Sequence, residues 1–465
     1  MGRKHFALAI AIAGALFGFS CVRYAPKPLK PEVLEAEFRS RTFNNPGLQD
    51  FARRQCGNAG RQWPPPTFDL NALVCAGLYF HPDIAIARAQ LREAEAAVIA
   101  ARPRTNPGIS AEGGYNRTPE SVATYGVSPV FTIETAGKRG YRILEAEKLA
   151  DAARISIAET EWRVRSDIRA AFVAYCFSRR RLGPVEAQQR IDTEVVEIYE
   201  KRLEAGDAAR PELIAAHNQQ ASTGLSMRAA EANVAQTRAA LAVAMGIPET
   251  VLQSARLTEA ALDEPPSPES LPLRKVELAG LLHRADLRRS LDEYAAAEAH
   301  LRLEIANQYP DIPLTPAYSF QEGFPAYTLG SAIDSIPVFN RHQGPIAEAD
   351  TRRAELKGRF VALQSHAIAQ TTSALEQYRA AIDTWADARD RLQAIGRERE
   401  QAVRAAFNAG DADRLELALA RAATLSASQT ATDALERVQS TLSALEDAVQ
   451  APLAPSEDAL PELPK

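Results

Sequence analysis

The sequence predicts a mainly α chain with a β-barrel portion, built as two structural repeats, each a β-hairpin plus long coiled-coil helices. Three observations predict this. The chain repeats itself once at a spacing of 203 to 208 residues. Each copy holds two stretches that alternate like strands, and the helical stretches that follow are far longer than those of ordinary globular domains. Ala76-Gly77-Leu78 returns as Ala279-Gly280-Leu281, Asp83 as Asp286, Pro107 as Pro310 and Tyr115 as Tyr318. Pro129-Val130-Phe131 returns as Pro337-Val338-Phe339, Ile143 and Glu145-Ala146 as Ile346 and Glu348-Ala349, and Ala205-Gly206-Asp207-Ala208 as Ala409-Gly410-Asp411-Ala412.

The chain opens with Arg3 and Lys4, an apolar stretch from Phe6 to Phe19, and small residues before Cys21. This is the layout of an export signal over residues 1–20. Gly18-Phe19-Ser20-Cys21 is a loose lipobox, which makes Cys21 a candidate lipidated first residue of an irregular, anchored segment over 21–66. Beyond the signal no apolar run reaches the ~18 residues that a transmembrane helix needs, so a span of the membrane would use strands. A net charge of −5 gives no reason to expect nucleic acid as a partner. Aromatic residues make up only 7% while Ala, Leu, Arg, Glu and Gln are abundant, a composition for long packed helices. Of the four cysteines, Cys56 and Cys75 are a possible pair in an oxidising compartment, and Cys176 stands alone in a helical stretch. No cysteine spacing fits a zinc site, the seven histidines are scattered, and neither a metal site nor a cofactor is expected.

The first repeat covers 67–247. Phe68 to Arg102 reads as one helix, with Leu73, Gly77, Ile84, Leu91 and Val98 recurring about every seven residues, stopped by Pro103 and Pro107. Strands follow at about 108–117 and 122–133. Ile109, Ala111, Gly113 and Tyr115 share one side, and Ala123, Tyr125, Val127, Pro129, Phe131 and Ile133 share one side of the next. A helix from Ile143 to Leu203 is interrupted only at Gly183-Pro184, spans roughly 90 Å and turns at a tip over 204–212. The second repeat, 275–451, follows a proline-rich linker over 248–274 and repeats the plan, with strands at about 311–321 and 327–339. Its long helix, Ile346 to Phe407, has no proline, and its tip lies at 408–416. Gly206 and Gly410 suit left-handed helix ends, and Asp207 or Asp413 suits the cap of the returning helix. Leu435, Val438, Leu442, Leu445 and Val449 mark a coiled-coil seam, and the tail over 452–465 reads as disordered.

Strands with an apolar face and a face of Ser, Thr, Gly, Asn and Gln suit a lipid-facing barrel wall. Four strands cannot close alone, and an open edge is not viable in lipid, so closure needs several chains. Two chains would leave little lumen; three or four would leave a pore.

These features resemble the TolC family of outer-membrane efflux proteins over Thr67 to Ala451. The resemblance is carried by the double repeat, the Pro337-Val338-Phe339-Asn340-Arg341 exit from the second hairpin, the tips at Tyr199 to Leu213 and Val403 to Leu417, and Cys21. It implies a homotrimer with a twelve-stranded outer-membrane barrel continued by a periplasmic helical tunnel, lipid-anchored, with most of the chain in the periplasm. It also implies a periplasmic adaptor and an inner-membrane pump of RND or ABC type as partners, and an unaltered solute as cargo. By the family's pattern, Gly206, Asp207, Gly410 and Asp411 fall at the adaptor-docking tips, and Glu212, Asp413 and Glu416 at the aperture constriction. The match is inexact, since Glu stands where the family commonly has Asp. Threefold symmetry would gather inward carboxylates into a ring, whereas the same residues can equally cap a helix start. Arg210 and Arg414 flank these turns as a possible latch to the acids. Gly137-Lys138-Arg139 after the second strand looks like the exit of the heavy-metal efflux branch, and it can also be a plain basic turn at the membrane boundary.

The expectation is therefore a passive exit duct, most specifically for heavy-metal cations, with multidrug efflux and type I protein secretion as alternatives. A periplasmic adaptor would need barrel and lipoyl-like domains around one helical hairpin, which this chain lacks. No nucleophile elbow, phosphate loop or paired carboxylate site suggests an enzyme.

Overall fold

The computed structural model describes residues 24–57, 62–115, 124–271, 280, 284–321, 324–331, 337–454 and 457. The export signal, Cys21, the hairpin tip at 116–123 and most of the second Ala-Gly-Leu lie outside these. The chain divides into two units, Met1–Arg41 and Thr42–Lys465. In the first, α1 (Pro31–Arg39) starts on a proline, has no buried residue and carries an i,i+4 pair between Arg39 and Glu35 at 2.6 Å.

The second unit begins with α2 (Pro46–Gln55), whose free backbone N–H groups at Gly47 and Leu48 donate to the Asn45 side chain. The segment expected to be irregular thus contains two helices, because each has a proline at its first turn. A disulfide joins Cys56, just past α2, to Cys75 in α3 (Leu70–Phe80), with Cα atoms 5.8 Å apart. The expected single helix over Phe68 to Arg102 is broken: α3 ends at Phe80, α4 (Pro82–Ala101) begins at Pro82, and the two are bent by 49°. Pro82 forces His81 into an extended conformation (φ −67°, ψ 127°) and brings no N–H for the preceding turn. Neither helix alone is long and apolar enough to cross a membrane.

Four strands follow in antiparallel order β1 (Gly108–Gly114), β2 (Thr124–Ile133), β3 (Ile312–Gln321) and β4 (Phe324–Ser331). The two repeats meet where Tyr125 pairs with Phe320 and Ile133 with Ile312. The fourth strand departs from expectation: it starts at Phe324 and ends at Ser331, and Pro337, Val338 and Phe339 are not strand. Pro337 has no N–H for a ladder, and Phe339 stands almost wholly exposed at 98%.

Helix α5 (Lys138–Ala205) runs unbroken for 68 residues through Pro184. It turns into α6 (Arg210–Met245), and after a short α7 (Glu249–Gln253) the chain reaches α8 (Ala285–Ala306). The second long helix is α9 (Gln343–Ala386), a π-helical turn at Asp387–Leu392, and α10 (Gln393–Ala409); α11 (Arg414–Val449) returns. The expected interruption therefore appears in the copy that has no proline.

The core gathers where α3 crosses α5 and α6, with Leu73, Ile168, Phe177, Leu241 and Met245 fully buried. Gly77 allows that crossing, since a Cβ there would fall 2.2 Å from Ile168 Cδ1. Its copy, Gly280, faces Thr371 Oγ1 and Val449 Cγ1 at 3.5 Å, an ordinary contact distance, so the repeated glycine packs against helices in both copies. The linker is part of this core and not a bare connection: Leu252, Leu262 and Leu271 are buried, and Phe68 and Leu257 form a parallel bridge. The Tyr378 hydroxyl donates to the Pro266 carbonyl at 2.6 Å. The seam on α11 is buried at Leu435, Val438, Leu442, Leu445 and Val449.

Between the repeats lies a buried ionic cluster. Arg165 and Arg169 of α5 both reach Glu446 of α11 at 3.1 Å, and all three side chains are 3% exposed or less. Glu457, from the tail expected to be disordered, is 7% exposed and pairs with both arginines, so the tail is held at that point. Glu446 Oε1 also accepts from the Leu453 N–H at 2.9 Å. A buried carboxylate needs such donors, and two repeats must meet to supply them.

Candidate functional site: helical tips, barrel wall and junction

Both tips are built by a glycine that only backbone geometry requires. At the first, Gly206 takes φ 82°, its N–H donates to Leu203 O and the Asp207 N–H to Arg202 O at 2.7 Å. At the second, Gly410 takes φ 88° and the Asp411 N–H donates to Ala406 O at 2.8 Å. These bonds satisfy the last carbonyls of each long helix. The returning helices start differently. Asp413 caps α11 by accepting from the Glu416 N–H at 2.9 Å, and Glu416 accepts in turn from the Asp413 N–H at 3.3 Å. The first tip has Ala209 at the matching place, so only the reverse half forms, from the Ala209 N–H to Glu212 at 2.7 Å. Asp207 does not cap α6, whose N-cap is Ala209.

The ion pairs at the tips also differ from the expected latch. Arg414 does not pair with Glu212, Asp413 or Glu416; it reaches Glu194 of α5 at 2.8 Å, joined there by Arg421 at 3.6 Å. Asp413 instead holds Arg202 of α5 at 2.6 Å. Arg210 has no ion pair among the described residues. The helix start thus uses both tip acids as caps, and the second hairpin is clasped to the first by Arg202, Glu194, Arg414 and Arg421. The Glu416 N–H, and then Arg202, hold the Asp413 carboxyl below its usual range. Glu194 and Arg202 escaped the sequence reading because their partners lie more than 200 residues away; their only local signal is a charged pair two helical turns apart on one face.

The sheet exposes Tyr125, Val127, Phe131 and Ile133 of β2, each 47% exposed or more. Their partners on β3 are Phe320, Tyr318, Leu314 and Ile312, and Tyr318 in turn faces Tyr327 of β4 with ring centroids 5.3 Å apart. One face of the sheet is therefore a continuous apolar surface with an aromatic band near one end. β1 and β4 leave unpaired edges, which hydrocarbon does not tolerate.

Below the sheet, Gly137-Lys138-Arg139 is a structural joint. Gly137 adopts φ 76° at the start of α5. Lys138 Nζ donates to the Tyr309 carbonyl and to Asp311, both at 2.7 Å, and Arg139 Nε donates to the Arg102 carbonyl at 2.6 Å. Three of the scattered histidines have carboxylate partners among the described residues, one of them His217, 3.9 Å from Glu200. His342 lies 2.6 Å from Glu304, and His300 lies 3.1 Å from Glu145.

The outer membrane efflux protein family matches residues 78–247. The cobalt-zinc-cadmium resistance protein CzcC of Cupriavidus metallidurans is 24% identical over 300 residues, which are 64% of this chain and 69% of that protein. Among solved structures, CusC has a TM-score of 0.66 at 19% identity, covering 85% of this chain and 96% of its own. VceC of Vibrio cholerae has a TM-score of 0.65 at 19% identity, covering 82% and 95%. The CusC structures describe transmembrane channel formation, and VceC is an outer membrane protein. The family match falls in the first repeat, and the fold of both repeats is shared with CusC and VceC, so the chain is similar to outer membrane efflux proteins.

Proposed function

We propose that this chain is the outer-membrane exit duct of a tripartite efflux system for heavy-metal cations. The observation that carries the reading is the combination, in one chain, of an open-edged sheet with one apolar face and two long helical hairpins ending in paired tips. Three copies would supply twelve strands, close the edges between β1 and β4, and continue the barrel as a tunnel. Cys21 would anchor each copy by its acyl chains. The tips at Gly206, Asp207, Gly410 and Asp411 would dock the periplasmic adaptor, and an inner-membrane pump would feed the duct. Glu212, Asp413 and Glu416 would ring the aperture. Because the tip acids are already engaged by backbone N–H groups and by Arg202, opening would act through the exposed pairs between hairpins. Each such pair contributes about 0–1 kcal/mol, which adaptor contact can offset.

The metal cargo is supported by the likeness to a cobalt-zinc-cadmium resistance protein. The test is growth of a deletion strain and its complemented control on zinc, cobalt, cadmium, copper and silver salts, alongside dyes, detergents and antibiotics. Sensitivity confined to the metals is the expected result. Sensitivity confined to organic compounds would replace the cargo and keep the duct, and indifference to both would point to protein secretion.

A further inference from the structure

At the junction between strands and helices, four side chains from three elements come together. Glu145 is on α5, His300 and Glu304 are one turn apart on α8, and His342 precedes α9. His300 Nδ1 lies 3.1 Å from Glu145, and its Nε2 lies 3.9 Å from Glu304 Oε1. His342 Nε2 lies 2.6 Å from Glu304 Oε2, and the Asn307 side chain donates to the same oxygen at 3.4 Å. We propose that His300, Glu304 and His342 form a binding site for a divalent transition-metal cation of the zinc and cobalt class, with Glu145 as the carboxylate that orients His300. The choice of cation rests on the function proposed above; the donor set does not.

The charge balance supports it. The carboxylates of this chain pair widely with Arg and Lys, yet the only charged partners of Glu145 and Glu304 among the described residues are imidazoles. With both histidines neutral the cluster carries two uncompensated negative charges, which one divalent cation would cancel. The arrangement also has the layout of a metal-ligating histidine. A carboxylate at Nδ1 fixes the tautomer and turns the Nε2 lone pair toward the other donors, and ligands one turn apart on a helix share a face. As they stand, no three of these groups are closed around one point. Metal–donor bonds of 2.0–2.2 Å at a tetrahedral angle would place donors about 3.3 Å apart. The Nε2 to Glu304 distances of 2.6 and 3.9 Å bracket that value, and the side chains are 15% to 43% exposed, which leaves them room to rotate.

An independent sign comes from the backbone. His342 adopts φ 63° at the start of α9, where the first repeat places Gly137 at φ 76° for the start of α5. Glycine is the unstrained residue for that conformation, and the second repeat keeps a histidine there.

The experiment is cobalt(II) titration of the full-length channel purified in detergent at neutral pH, read by its visible ligand-field absorption, with zinc as competitor. The expected result is about one tetrahedral cobalt per chain, displaced by zinc. His342→Gly, which suits the left-handed backbone and so preserves the fold, should weaken binding on the order of 100-fold or more. Glu145→Gln should weaken it about 10–100-fold, as loss of an orienting partner does. The inference is overturned if wild type binds no more cobalt than a His300→Gln/His342→Gly double variant, or if His342→Gly binds as wild type does. A strain indifferent to metals would sink the metal-cargo reading and leave this titration untouched. A channel that confers metal resistance but takes up no cobalt above the double variant would sink this inference alone.

Discussion

The two long helices solve one geometric problem by different chemistry. In α5 a single backbone N–H is missing, at Pro184, inside a helix that runs on without a break to Ala205. In the second repeat, at the matching distance from the tip glycine, the interruption is a π-helical turn at Asp387–Leu392. Proline removes an N–H, while a π turn inserts a residue; both release the i→i−4 ladder at one level of the hairpin. Elsewhere one copy is likewise plain where the other is elaborated. Ala209 stands opposite Asp413, and Gly137 opposite His342. Duplication keeps the positions at which something must happen to the backbone and leaves the means free to diverge.

The comparison can be broken most severely at the cluster that joins the copies. Arg169→Met would leave two buried carboxylates, Glu446 and Glu457, with Arg165 as their one remaining arginine, and should cost about 3–5 kcal/mol in guanidinium unfolding. An unchanged midpoint would mean that the repeats are held together by packing alone.

Next in size is Glu161 of α5. Burial, with Arg88 as a smaller opposing influence, pushes its carboxyl up to about 7. The folded chain therefore keeps a proton that the unfolded chain releases near 4.5, so this contribution to stability is complete at low pH and is lost as pH rises through about 7. Above that pH, Glu161→Gln should be more stable than wild type by roughly 3 kcal/mol, and below pH 4.5 the two should converge. Parallel unfolding curves at both ends of the range would refute the shift.

Pro184→Ala should stabilise the first hairpin by roughly 2 kcal/mol, the ~3 kcal/mol helix penalty less the loss of a restrained unfolded chain. A loss of stability would show that the interruption is required for packing, and would give the π turn of the second copy the same role. The smallest effect lies at the tips. Asp413→Ala should cost about 1 kcal/mol and Ala209→Asp should gain up to that much, both read as hydrogen-exchange protection in the first turns of α11 and α6. Equal protection in wild-type tips would erase the asymmetry.

Much of the fold could be read from the chain, since its signals are local and occur twice. Alternation over Tyr125 to Ile133, glycines at 206 and 410, and the 3,4 stepping of Leu435 to Val449 each specify a backbone state or a buried face from neighbouring residues alone. The candidate site was less legible. Residues 206, 207, 410, 411 and 413 lie at the tips, but the partners of Asp413 and Arg414 come from α5 and depend on how two hairpins pack. His342 looked isolated because Glu304 is 38 residues away, and His300 had only Glu304 near it in sequence, Glu145 being 155 residues away.

By itself, the sequence determined the duplicated plan, the strand faces and the tip turns, because dihedral preference and hydrophobic period act over a few residues. Tertiary structure alone decided which charges meet. It folded the linker into the core, drew Glu457 onto Arg165 and Arg169, clasped Asp413 to Arg202 and gathered two histidines around Glu304. Coulomb and metal-ligand interactions have no sequence period; they act between whatever side chains the packed helices bring within a few ångströms.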